Sequence, residues 1–103
     1  MEFEWDDSKS AHCLRKRGFS FAFVVSAFAD PGRWVELDER RDYGEARYRL
    51  YGRISGRLFV IVYTMRGCAI RIISARKANA REQEEYGDKS TSEERRDGGR
   101  DPP

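Results

Sequence analysis

The sequence predicts an α+β domain in which two N-terminal helices pack on a small, mainly antiparallel twisted sheet, followed by a C-terminal helix and a disordered tail. Three observations carry that reading. The apolar residues Phe21, Val24, Val25 and Phe28 recur at helical spacing ahead of the main strand signals. Residues 46–54 alternate, with Tyr48, Leu50 and Ile54 on one face and Arg47, Arg49, Tyr51 and Arg53 on the other, as a half-buried antiparallel strand requires. Two turn sequences, Ser55-Gly56 and Arg66-Gly67-Cys68, then cut the following chain into strand-length runs.

The elements follow in order. Asp6 is the N-cap of a helix over residues 7–17, whose last turn Arg15-Lys16-Arg17 suits the helix dipole and which stops at Gly18. Ser20 caps the second helix, closed off by Asp30-Pro31. Trp34-Val35-Glu36-Leu37 reads as a short strand, and the charged run from Asp38 to Asp42 as a loop. Strands over 46–54, 57–65 and 69–76 form a meander, with one face of the first apolar and the other basic and aromatic. Residues 77–85 are rich in helix formers, with Ala78 and Tyr86 the side chains able to dock that helix. From Gly87 to Pro103 there is no Val, Ile, Leu, Phe or Trp, which predicts disorder. The expected organisation is one domain, 1–86, and a polar tail, 87–103.

Net charge is +2, from 20 Lys+Arg against 18 Asp+Glu, and by itself selects no partner. Its distribution is more telling, because residues 44–76 carry seven basic side chains and one acidic. The two cysteines, Cys13 and Cys68, lack zinc-ligand spacing, and with a single histidine no metal site and no cofactor is expected. Both read as free thiols. The acidic N-terminus is unlike a signal peptide and no apolar run is long enough to span a bilayer, so the expected location is cytoplasmic, with no membrane partner.

Within Tyr63 to Arg76, three arginines and the hydroxyls of Thr64 and Ser74 interrupt strand-like apolar runs. Arginine repeated at sheet positions needs solvent or a partner, and suggests a surface for anions such as phosphate.

Four segments, Phe3-Glu4-Trp5-Asp6 with Lys9, Lys16-Arg17-Gly18 with Ser20-Phe21, Tyr43-Gly44-Glu45 with Arg47, and Tyr63-Thr64 with Arg66 and then Arg71 to Arg76, resemble the BrnT-type toxins of type II toxin–antitoxin systems, in the RelE-like ribonuclease group. The resemblance runs from Phe3 to about Tyr86. It implies a RelE-like fold and a metal-independent endoribonuclease that cleaves RNA and stops translation. It also implies a cognate BrnA-type antitoxin with a ribbon-helix-helix domain, through which alone promoter DNA would be met. Where the family usually carries Lys-His-Gly this chain has Lys16-Arg17-Gly18. A guanidinium keeps its proton at ordinary pH, so Arg17 is suited to holding phosphate and not to acid–base work. The alternative is a catalytically weak antitoxin-binding protein acting in transcriptional autoregulation.

Metal-free RNA cleavage requires a deprotonated 2′-hydroxyl, a stabilised phosphorane and a protonated 5′-oxygen. The candidate catalytic residues are Glu45 as proton acceptor, with Arg66, Arg71 and Arg76 gripping the phosphate, and Tyr43 or Tyr63 as assisting donors. The candidate RNA-binding residues are Lys9, Arg17, Arg47, Thr64 and Ser74. Against these stand plainer readings: Glu45 and Arg47 as a same-face ion pair, Ser74 hydrogen-bonded within the sheet, Tyr63 in the core, and His12 incidental.

Overall fold

A computed structural model describes residues 1–86, so the tail expected to be disordered, 87–103, lies outside the described residues. The chain runs β1 (Glu2–Trp5), α1 (Asp7–Arg17), α2 (Phe21–Val24), a 3-10 segment (Val25–Ala29), β2 (Trp34–Leu37), β3 (Tyr48–Ile54), β4 (Arg57–Arg66) and β5 (Ala69–Lys77), with a further helix, α3, over 80–86. The strands form one five-stranded sheet in the order β1-β5-β4-β3-β2, antiparallel except for β1 beside β5. The α+β class and the meander are as expected.

Local chemistry explains most boundaries. Asp6 accepts hydrogen bonds from the N–H groups of Ser8 and Lys9 to start α1, and Gly18, at φ 88°, ends it in the left-handed conformation. At the β3–β4 turn both Ser55 (φ 50°) and Gly56 (φ 82°) are left-handed, the twist a two-residue hairpin needs. No helix among the described residues is long and apolar enough to cross a membrane.

Three expectations are corrected. The second helix is a single α-turn that tightens into 3-10 geometry, because the chain must press against β3: a Cβ on Gly52 would stand 2.6 Å from the carbonyl oxygen of Ala27. The C-terminal helix starts at residue 80, after β5 has run on through Lys77, and is opened by a reciprocal cap in which Asn79 and Glu82 each bond the other's backbone N–H. And Glu2–Trp5, given no element by the sequence reading, is a parallel edge strand.

The sheet has a core on each face. On one, Phe21, Val24 and Ala27 meet Leu50, Phe59, Ile61, Ile72 and Ala75, with Cys13 of α1 in the same cluster. On the other, Tyr51, Leu58 and Val60 lie beneath Ala78 and Tyr86, whose ring stacks on Tyr51 at 3.9 Å and 8°. Tyr51 is therefore buried and does not form part of an open basic-aromatic face.

One irregularity governs the functional surface. Val62 pairs with Ser74 while Tyr63 pairs with Ile72, which leaves Ile73 opposite no residue. Arg71 and Arg76 are five residues apart and would point to opposite faces of a regular strand; the bulge returns them to one face. Thr64 pairs with Arg71 and Val60 with Arg76, so Arg66, two residues after Thr64, shares that face.

Candidate nucleic-acid interface

The face away from α1 and α2 carries Arg49, Thr64, Arg66, Arg71 and Arg76, with Arg47 just ahead of β3, and several of these guanidinium groups are held by carboxylates of the same chain. Arg71 donates to Glu4 on β1 at 3.1 Å. Arg76 makes a two-pronged pair with Glu82 of α3, both contacts 2.8 Å, and these bonds raise its proton affinity while lowering that of Glu82. Arg66 lies at the exposed end of β4 with no ion pair among the described residues.

Glu45 and Arg47 form the same-face ion pair that the sequence left open, at 3.0 Å, with the Arg47 guanidinium 4.3 Å from the centroid of the Tyr43 ring. Thr64 is buried and donates its hydroxyl to the carbonyl of Ala46 at 2.6 Å, tying the loop before β3 to β4. Tyr63 is on the helix side, stacked on Tyr48 and edge-on to Phe28, where burial raises its hydroxyl's pKa. The structure therefore does not bring it to Arg66, Arg71 and Arg76.

The remaining candidates gather elsewhere. Lys9, Arg17 and Ser74 line one cavity of about 420 Å³ between α1 and β5, together with His12 and Arg15. Arg17 also donates to the carbonyl of Ala75 at 3.2 Å. Ser74 is exposed at this edge.

Sequence reasoning missed the strongest electrostatic feature. Asp38, read as part of a solvated loop, is 4% exposed and receives Arg40 at 2.7 and 2.8 Å, Arg49 at 2.9 Å and the Tyr43 hydroxyl at 3.1 Å. Led by the Arg40 hydrogen bonds, these donors hold its carboxyl far below the usual carboxylate range despite burial. Arg49 bridges on to Glu36 at 2.6 Å, and Glu36 accepts from Tyr86. Burial pushes the Glu36 carboxyl up, but hydrogen bonds from Arg49, Tyr86 and Trp34 outweigh it and the net displacement is downward. The available signal was the residue order Glu36-Leu37-Asp38, which extends the alternation of β2 by one carboxylate. Among the described residues no group of three His, Cys, Asp or Glu is placed to hold a metal ion.

Fold and surface together define a small α+β protein with arginines gathered on one sheet face and a basic cavity at the sheet edge. Residues 5–82 match the sequence model described as the ribonuclease toxin, BrnT, of type II toxin–antitoxin systems, and the chain belongs to that family. No curated protein matches the chain significantly. Family membership makes this a ribonuclease toxin of a type II system, with RNA as substrate class and an antitoxin as partner.

Proposed function

We propose that the protein is a metal-independent endoribonuclease of the RelE-like group that arrests translation by cutting RNA. In the same reading a BrnA-type antitoxin with a ribbon-helix-helix domain neutralises it and carries the complex to promoter DNA. The observation that carries the RNA-binding part is the bulge at Ile73, which turns Arg71 and Arg76 to the same face as Arg66. Guanidinium forks grip two phosphate oxygens at once, so several of them on one face hold a phosphodiester backbone. Backbone phosphates cross this face by way of Arg47, Arg66, Arg71 and Arg76. Glu45 positions Arg47 over Tyr43, and Thr64 fixes the loop that carries both.

One observation favours the second reading, antitoxin binding without catalysis: Arg71 and Arg76 are already paired with Glu4 and Glu82. Induction of the chain in bacteria, alone and with the neighbouring gene's product, decides between them. Growth arrest with RNA loss, relieved by that product, supports the ribonuclease. Normal growth with intact RNA from folded, soluble protein supports the binding role. The double substitution Arg66→Ala/Arg71→Ala is expected to abolish arrest while leaving thermal unfolding and antitoxin binding intact, and arrest at the parental level would remove these two arginines from the site.

A further inference from the structure

The register of β1 ends where Trp5 meets Ile72, so among the described residues the outer edge of β5 beyond that point has no strand beside it. There α1 lies against β5, with the Cys13 thiol and the Arg17 guanidinium both donating to the carbonyl of Ala75. The cavity left between helix and strand is lined by Lys9, His12, Arg15, Arg17 and Ser74, with Ser8, whose hydroxyl donates to the Asp6 carboxylate at 2.6 Å. No carboxylate is ion-paired with any of these basic groups among the described residues, in contrast to the paired arginines of the sheet face. The volume, about 420 Å³, is at the small end of the range for a bound small molecule, about 300–1,000 Å³, and suits one nucleotide unit. His12 is the chain's single histidine, and imidazole is the side chain able both to take and to give a proton near neutral pH.

We propose that this cavity receives one phosphodiester of single-stranded RNA and that His12 moves the proton during its cleavage, an inference that rests on the ribonuclease reading above. An acidic peptide would satisfy the cations but leave the imidazole without a task, whereas a phosphodiester uses both. The neutral His12 imidazole takes the 2′-hydroxyl proton as the 2′-oxygen bonds to phosphorus. The P–O5′ bond breaks with its electron pair on the 5′-oxygen, and the imidazolium returns the proton to that oxygen through solvent. The products are a 2′,3′-cyclic phosphate and a 5′-hydroxyl end, with His12 neutral again. Lys9, Arg15 and Arg17 carry the phosphorane charge. Ser74, between Arg71 and Arg76 on β5, leads the strand from the cavity onto the sheet face.

The test uses the purified full chain with a labelled single-stranded RNA and with the 2′-deoxy strand of the same sequence, which binds but cannot be cut. His12→Ala is expected to slow cleavage by about 100-fold or more while holding the deoxy strand within about threefold of the parent. Lys9→Ala/Arg15→Ala is expected to weaken deoxy-strand binding by about tenfold and flatten its salt dependence by about 1.5 in log–log slope. All three residues are exposed on α1, so these variants keep the core. Parental cleavage by His12→Ala would overturn the inference and leave the ribonuclease reading standing. An inactive parent would overturn that reading and the proton-transfer role with it. Undiminished nucleic-acid binding by Lys9→Ala/Arg15→Ala, with loss of affinity for a polyglutamate probe instead, would assign the cavity to an acidic protein and overturn the inference.

Discussion

At the scale of the residue, the side chains with the most at stake are not those that face solvent. Asp38 is enclosed by Arg40, Arg49 and Tyr43, and Asp38→Asn removes the charge that all three donors satisfy. Because Arg49 keeps Glu36, the expected loss is about 2 kcal/mol, below the usual cost of breaking a fully buried pair, read as a lower urea midpoint at unchanged m. Gly52 is sensitive for a steric reason, since its missing Cβ leaves room for the Ala27 carbonyl. Gly52→Ala is expected to cost about 1–3 kcal/mol, measured in the same way. Little of this was legible in the sequence. A carboxylate in a charged run reads as solvated unless its partners are known, and Arg49 is eleven residues away on another strand. The same holds for His12, whose neighbours Lys9 and Arg15 are visible in the sequence but whose cavity is made by Ser74 on β5.

At the scale of the element, features set by neighbours in the chain were readable, and those set by distant partners were not. Helix α1, its Asp6 and Gly18 caps and both hairpin turns follow from local chemistry and agree with the structure. The bulge at Ile73 has no local signature, yet it decides that Arg71 and Arg76 share a face. Helix α3 is the clearest case of an element held by contacts with other elements, among them the Arg76–Glu82 pair, the Tyr86–Tyr51 stack and the hydrogen bond from Tyr86 to Glu36, besides its local Asn79–Glu82 cap. Tyr86→Ala is expected to cost about 3 kcal/mol and to raise hydrogen exchange in residues 80–86 before the rest of the protein, since it removes the ring that covers Tyr51. Equal loss of protection throughout the sheet would show that α3 opens only with the whole fold.

At the scale of the whole molecule, four carboxyls among the described residues lie below their ordinary range: Asp38 through Arg40, Glu82 through Arg76, Glu36 through donors that outweigh its burial, and the N-cap Asp6 through Ser8. A carboxyl depressed on folding binds fewer protons in the native than in the unfolded state. Its stabilisation is therefore present above the unfolded value of about 4 and is lost as pH falls toward the folded one. Unfolding free energy is expected to hold near neutral pH and decline below about pH 4, and Asp38→Asn should show a shallower decline, as followed by urea titrations across that window. A variant with the parental slope would show that the acid sensitivity lies elsewhere. The sheet's connectivity also imposes an order in time. β1 precedes the other elements of the domain, but the strand it pairs with, β5, starts at Ala69. During synthesis β1 must wait unpaired until β5 has emerged, and only then does the edge of β5 beside α1 take shape. A nascent chain short of β5 therefore lacks the α1–β5 cavity, so the cell that makes this toxin meets that surface only after β5 is in place.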